Sequence, residues 1–284
     1  MSEKQIRANR IKEVFNDSII RIFLLILVCI AAFPFVYMII ISLLETNTMT
    51  LTWEKLKNAA WTLNYYKRLY VGSGNFLKYL MNSFVMSLYA CTVTCVFSTM
   101  AAYAFAKKRF LGRDKIYYAY LLTMMIPGHA VLIPQFLIIR ALNLMDTYTG
   151  LALPCCCIAY GVLLMRSFMK GLPDELLEAA DIDGCSEAKK FIVIIIPLVK
   201  PAIISLAIYT FITVWGNLLW PLIIASGGKT TVTLAVSALT NGLKVTEYGY
   251  VMAGATSAFI FPFILYLLLQ KQFVEGIALS GIKG

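Results

Sequence analysis

Carboxylates crowd one stretch of this sequence: Asp174, Glu175, Glu178, Asp181, Asp183 and Glu187 follow one another at short intervals. In a cleft such a set would serve general acid–base chemistry; in a loop it reads as solvated faces and partner contacts, the expectation adopted here. The single histidine, His129, lies in an apolar run with no carboxylate near it in sequence. An ionisable group at that depth is a proton-carrier candidate by default, and a satisfied packing histidine is the expected alternative. Of seven cysteines, three are consecutive, Cys155, Cys156 and Cys157. On one helix they point about 100° apart, which makes a poor metal cage, so they are expected to pack as small hydrophobes. Gly228-Lys229-Thr230 resembles the end of a phosphate-binding loop, but Ile223 stands where the full pattern requires glycine. No zinc, nucleophile-elbow or dinucleotide pattern appears. The chain is expected to be non-catalytic, with no metal or cofactor of its own.

The elements that must position these residues are membrane helices. Of 284 residues 60% are hydrophobic and 14% charged, with a mean hydropathy of +0.77, against about 25% charged in a soluble domain. Ile22 to Leu44 runs without one charged side chain, and a spanning helix needs roughly 20 such residues. Lys4, Arg7, Arg10 and Lys12 precede this run as in a signal peptide. The run is too long for one and ends in no small-residue cleavage site, so a retained helix is expected.

Hydropathy predicts six spans, near residues 19–44, 78–105, 116–139, 148–168, 198–224 and 249–270. A polar, aromatic-rich segment, 45–77, joins the first two. Seventeen of the 25 Lys and Arg residues fall in the tail 1–18 or just beyond it, in the second-to-third and fourth-to-fifth connections, and in the tail 271–284. The richer side is cytoplasmic. Both termini are therefore expected inside, with 45–77 and 225–248 outside. The same rule accounts for the net charge of +10 without nucleic acid. Proline at 127, beside Gly128, predicts a broken third span, a feature that lines transport paths in other membrane proteins. Gly249, Ala253 and Ser257 form a small-residue ridge for close helix packing.

The loop 169–197 between spans four and five is more than a linker. Pro173 suits the first turn of a short helix, and Asp174 and Glu175 put negative charge at its N-terminal end. Gly184 ends it in the left-handed conformation. Ser186 caps a second helix that runs through Phe191 toward Pro197. A helix–Gly–helix elbow of this kind is built to dock on something.

Glu178-Ala179-Ala180-x-x-Asp183-Gly184, followed by Phe191-x-x-Ile194-x-x-Pro197 and Pro201, resembles the "EAA" signature of ABC-importer permeases. Asn82-Ser83, Ala101-Ala102-Tyr103-Ala104-Phe105-Ala106, Arg109-Phe110-x-Gly112 and Met125-Ile126-Pro127 extend the likeness to the maltose/multiple-sugar branch. So do Ile133-Pro134, Leu144-x-Asp146-Thr147, Trp220-Pro221-Leu222 and the terminal Gly281-Ile282-Lys283-Gly284. The similarity covers residue 78 to the C-terminus. Cys185 stands where the family usually has Ala, and Trp215-Gly216-Asn217-Leu218-Leu219-Trp220 departs from the usual Trp-Asn pattern.

The resemblance implies an all-α membrane protein of type I ABC-importer permease architecture, multi-pass in the cell membrane and surrounded by its lipid. It implies that a second, homologous permease completes the pore and that an extracytoplasmic sugar-binding protein delivers the substrate. ATP and Mg would reside on a separate ATPase dimer. Glu178, Ala179, Ala180, Asp183, Gly184, Phe191 and Pro197 would couple to that ATPase, and Gly281, Lys283 and Gly284 of the tail would insert between its subunits. Sugar sites combine aromatic faces with hydrogen-bonding groups, which makes Asn82, Gln135, Tyr209, Trp215, Asn217 and Trp220 path candidates, each with a packing or interfacial alternative. The competing reading is an ion-coupled secondary transporter or channel without an ATPase. Such a carrier holds charges inside its spans, and His129 apart these interiors have essentially none.

Overall fold

The computed structural model describes residues 3–281 apart from Asn47, Ala59, Ser73, Gly74, Cys157 and residues 243–246. In chain order its helices are α1 (Glu3–Ser42), α2 (Trp53–Lys57), α3 (Asn64–Tyr70), α4 (Phe76–Lys107), α5 (Arg113–Leu122), α6 (Leu132–Ala141), α7 (Tyr148–Ala152) and α8 (Ala159–Lys170). They continue as α9 (Glu175–Ile182), α10 (Glu187–Lys189), α11 (Ile196–Leu198), α12 (Lys200–Trp215), α13 (Leu219–Ile224), α14 (Val232–Gly242) and α15 (Tyr248–Gly281). A π-helical turn, Lys190–Ile195, joins α10 to α11. The described residues contain no strand, only an isolated bridge between Leu44 and Trp61.

Three helices are long and apolar enough to cross a bilayer unbroken: Ser18–Ser42 of α1, all of α4, and Tyr248–Lys271 of α15. Three further candidates are bent pairs, which brings the count of candidate spans to six. The expected break of the third span is present: Arg113–Met125 and Gly128–Ala141 meet at 93°. Ile126 is extended there, at φ −82° and ψ 118°, the conformation forced on a residue that precedes proline.

The fourth and fifth spans depart from the continuous helices expected. Tyr148–Cys155 and Ala159–Lys170 meet at 54°, just after Pro154. Glu187–Leu198 and Lys200–Trp215 meet at 75°, where Pro201 has no N–H to offer the preceding turn. The first arm of that pair carries Glu187, Lys189 and Lys190 and belongs to the loop, so the crossing begins at Lys200. It also stops early. Asn217 Oδ1 accepts the Trp220 N–H at 3.3 Å, a local bond that competes with the helix ladder, and α13 starts afresh beyond it.

The chain divides into two compact units, residues 1–73 with 239–257 and residues 74–238 with 258–284. In the first, the ridge on α15 packs as expected. A methyl group added to Gly249 would lie 2.8 Å from Leu44 O and would collide with the Tyr65 ring, and Ala253 and Ser257 are buried. In the second unit α4 packs along α8 and α12. Gly161 makes the α4–α8 approach possible, since a Cβ there would sit 2.5 Å from Ser98 Oγ.

Two apolar clusters fill this second unit. One, toward the C-terminal end of α4, gathers Ala102, Tyr103, Met165, Met169, Leu177, Ile195, Val199, Ala202 and Leu206. The other, toward its N-terminal end, includes Met86, Ile139, Leu151, Val214, Trp220 and Ile224.

Candidate functional site

The elbow is built by short-range rules. Leu177 and Glu178 donate their N–H groups to Asp174 O at 2.9 and 3.1 Å, so α9 begins immediately after Pro173 rather than around it. At its other end Gly184 takes φ +70°. The Cys185 N–H then returns to Ala180 O at 2.9 Å, the bond that closes a helix ending in a left-handed glycine. Ser186 Oγ accepts the Lys189 N–H at 3.4 Å and starts the second arm.

One face of the elbow is open and the other is bolted down. Glu178, Ala179, Asp183 and Gly184 are exposed, and so are the apolar side chains of Leu176 and Ile182, the latter 88% accessible. Leu177 and Ala180 turn inward, Leu177 into the first apolar cluster. Burying such a leucine is worth about 1.5–3 kcal/mol. Phe191 also faces inward and packs against Tyr103 with ring centroids 5.2 Å apart. Pro197 is exposed on the second arm. The open face thus unites four of the seven expected coupling residues, while Ala180 and Phe191 support it from behind. Gly281 is the last residue of α15, and Lys283 and Gly284 lie outside the described residues.

Buried cations supply the bolts. The Lys190 side chain, 3% exposed, pairs with Asp181 on the first arm and with Glu187 at 2.8 Å on the second. Lys107, 4% exposed, reaches from the end of α4 to Asp174 Oδ1 at 2.5 Å and Leu172 O at 2.6 Å. Glu187 also pairs with Lys108 and accepts the Tyr103 hydroxyl at 3.1 Å. Nearby, Arg166 lies 3.8 Å over the Tyr117 ring and donates to Phe105 O at 3.3 Å. Sequence reasoning counted these basic residues only as markers of topology. The signal it had in hand was the matching set of carboxylates at 174, 181 and 187.

The ion pairs hold Asp174 below the ordinary carboxylate range, chiefly through Lys107. Lys108, then Lys190, bring Glu187 from its ordinary 4.5 down to about 2. A carboxylate depressed by folding contributes its stability above the unfolded value and loses it as pH falls through the folded one. Pepsin cleavage within 174–190, normalised to a reference peptide, is therefore expected to stay low near pH 4.5 and to climb toward pH 2. A flat profile would mean that these pairs do not secure the elbow.

The second place where the sequence candidates converge is a cavity of about 420 Å³ lined by Gly128, His129, Leu132, Gln135, Pro154, Cys155 and residues 216–220. Three helix interruptions, after Ile126, after Cys155 and at Gly216–Leu218, open onto it. Irregular backbone at membrane depth is tolerated where it lines a cavity or is buried in protein. Gln135, Asn217 and Trp220 meet here; Asn82, Tyr209 and Trp215 do not. Asn82, 2% exposed, donates to Thr230 O at 2.9 Å and accepts the Tyr148 hydroxyl at 2.8 Å. Trp215 is stacked 5.0 Å from Phe261 and donates to Ala258 O at 3.1 Å. Tyr209 leans on Tyr160 and is 41% accessible. His129 departs from the packing role expected of it: it is exposed and forms part of the cavity wall.

The glycine–lysine–threonine segment has an occupant of its own. Ser226, Gly228 and Lys229 donate their N–H groups to the Asp146 carboxylate at 3.2, 3.1 and 3.0 Å. This is the anion nest that a phosphate loop offers to nucleotide, closed here by an internal acid.

Comparison with known proteins agrees with this geometry. The family model described as "Binding-protein-dependent transport system inner membrane component" matches residues 95–278. The chain is 30% identical to the arabinooligosaccharides transport system permease protein AraQ of Halalkalibacterium halodurans, over 90% of this chain and 92% of that protein. It is 34% identical to AraQ of Bacillus subtilis over 77% and 78% of the two chains. With the sn-glycerol-3-phosphate transport system permease protein UgpE of Pectobacterium atrosepticum the figures are 37%, 72% and 75%. A chain of a bacterial ABC transporter that imports the acidic polysaccharide alginate superposes with a TM-score of 0.74 at 22% identity, covering 94% of this chain and 98% of that one. With six candidate spans, an elbow between the fourth and fifth, and a family match over most of its length, the chain belongs to the inner membrane components of binding-protein-dependent transport systems, the permease subunits of ABC importers.

Proposed function

We propose that this permease forms half of the translocation path for a neutral sugar or oligosaccharide. A second homologous permease completes the path, an extracytoplasmic binding protein delivers the substrate, and an ATPase dimer drives transport from the cytoplasmic side. The observation that carries the substrate reading is the cavity where three interrupted helices meet. Its polar lining groups are two side-chain amides, Gln135 and Asn217, and one imidazole, His129, beside the Trp220 ring. Uncharged amides match sugar hydroxyls, and a broken-helix site matches the way transporters place substrate near the bilayer midplane. The arabinooligosaccharide relatives support the same class.

The stroke enters through the open face of α9. That face presents a carboxylate, Glu178, beside small and apolar side chains, a surface suited to a groove with a basic rim. Because Lys107 and Leu177 fasten the elbow to α4 and α12, and Lys190 ties its two arms together, a push on α9 moves the spans. With both tails inside, as the distribution of Lys and Arg indicates, the elbow and the ATPase share one compartment.

The test is uptake and ATPase assay of the reconstituted complex with its own binding protein, over a panel of arabinooligosaccharides, maltooligosaccharides and glycerol-3-phosphate. Gln135→Leu is expected to lower sugar uptake about tenfold, the cost of about 1.4 kcal/mol in lost hydrogen bonding, with the ATPase still bound; Asn217→Ala, which also frees the Trp220 N–H, is expected to lower it further. Preference for glycerol-3-phosphate, or uptake unchanged in both variants, would remove the neutral-sugar reading.

A further inference from the structure

Between α4 and α5 the chain makes a turn whose residues 109–112 the transport mechanism leaves unused. Leu111 at its tip is fully exposed and Phe110 is 42% accessible. Gly112 takes φ +81°, which directs the chain into α5. A concavity of about 410 Å³ is lined by Arg109, Phe110, Gly112, Arg113, Asp114 and Lys115. Its one carboxylate is engaged: Asp114 receives the Arg113 guanidinium at 3.1 Å and faces Arg166 at 3.6 Å. Arg109 and Lys115 stand exposed on the rim, and the pocket keeps a positive balance.

Its depth follows from the next turns of α5. Ile116, Tyr118 and Leu122 are 53%, 62% and 60% accessible on a helix that starts a candidate span. Side chains of that kind on a spanning helix face lipid. At about 1.5 Å rise per residue, Arg113 and Lys115 lie within one turn of the first of them. That is the level of phospholipid headgroups, where exposed apolar and cationic side chains act together.

We propose that this turn is a binding site for an anionic phospholipid. Arg109 and Lys115 hold its phosphate over the concavity, and Tyr118 with Leu122, one and two turns deeper on the face of α5 that carries Lys115, lie along its acyl chains. Charge selects the occupant, since a zwitterionic headgroup brings its own cation into a pocket already positive. This apolar face selects lipid over free phosphate, because inorganic phosphate has nothing to place against Tyr118 and Leu122.

The experiment uses the complete transporter in nanodiscs of phosphatidylcholine alone or with one quarter phosphatidylglycerol. Tightly retained lipid is counted by mass spectrometry after detergent exchange, with ATPase activity measured alongside. Wild type is expected to retain phosphatidylglycerol in preference to phosphatidylcholine. Arg109→Gln with Lys115→Gln is expected to weaken that preference about fivefold per charge removed, and Leu122→Ser to reduce retention of both lipids. The partner chains are expected to stay bound in every variant, and inorganic phosphate is expected not to displace the lipid. Equal retention by wild type and the double variant overturns the proposal. So does loss of the ATPase or of the second permease from the double variant with lipid retention unchanged, which would make the turn a protein interface. Displacement by phosphate alone would reduce it to a small-anion site and overturn it as well.

Discussion

Lys190→Met is expected to separate ATP hydrolysis from transport: the ATPase remains bound, and uptake falls tenfold or more. Lys190 pairs with both arms of the elbow, Asp181 before the Gly184 hinge and Glu187 after it. Methionine keeps the length and packing of the buried stem but removes the charge. Breaking a buried ion pair costs about 3–5 kcal/mol when the remaining charge is stranded. Here Asp181 and Glu187 are 63% and 58% accessible and recover water, so the loss is well below that.

That is too little to unfold the subunit and enough to change the elbow. Gly184 carries no side chain to stiffen the joint. With the pin gone, the angle between α9 and the second arm is no longer fixed, and the population holding the transmitting geometry drops about tenfold for every 1.4 kcal/mol. The open face of α9 is untouched, so docking survives. Lys190→Arg, which keeps the charge, is expected to restore most of the transport. Co-purification of the ATPase, hydrolysis stimulated by the binding protein, and sugar uptake form the necessary set of measurements. Normal uptake per ATP in Lys190→Met would show that the elbow does not depend on this joint.

Local signals made much of this molecule readable. Runs of apolar residues gave six spans because hydropathy needs no partner to be recognised. The end of α9 and the start of the second arm were readable because a glycine with positive φ and a serine cap act within a few residues. The Ile126-Pro127 break was readable because proline dictates the backbone before it. Distant partners decided the rest. Asn82 and Trp215 have the right chemistry for a sugar, yet Thr230, Tyr148 and Ala258, far away in sequence, take up their hydrogen-bonding groups. The end of α12 turns on the side chain of Asn217 choosing the Trp220 N–H, a choice composition does not reveal. Lys107 and Lys190 look like any other basic residues of a membrane protein until the fold brings Asp174 and Asp181 to them. Ile223 was reason enough to set aside the phosphate-loop resemblance, but the reason the loop has its shape is an acid about eighty positions earlier.

That acid is the basis of the other large effect. Asp146 sits at φ +52°, where Asp and Asn are tolerated better than other non-glycine residues. Its carboxylate gathers three N–H groups from the 226–229 turn, and its own N–H donates to Ile224 O at 3.1 Å. Lys229 then lies over the Tyr148 ring at 4.0 Å, so the turn after α13 is fastened to the connection between α6 and α7 from both sides. Asp146→Asn keeps the backbone conformation and size but replaces one acceptor oxygen with a donor that faces other donors. Losing hydrogen bonds to a charged acceptor costs on the order of 1.5–3 kcal/mol. Asp146→Ala adds about 1–2 kcal/mol of left-handed backbone strain. The expected order of thermal stability in detergent is therefore wild type, then Asn, then Ala, with trypsin cleavage at Lys229 rising in the same order. Gly228→Ala approaches the contact from the other side, since its new methyl would meet Asp146 Oδ2 at 2.5 Å, and it is expected to expose Lys229 equally. If all three variants melt with wild type and Lys229 stays protected, the turn is held by something other than this carboxylate.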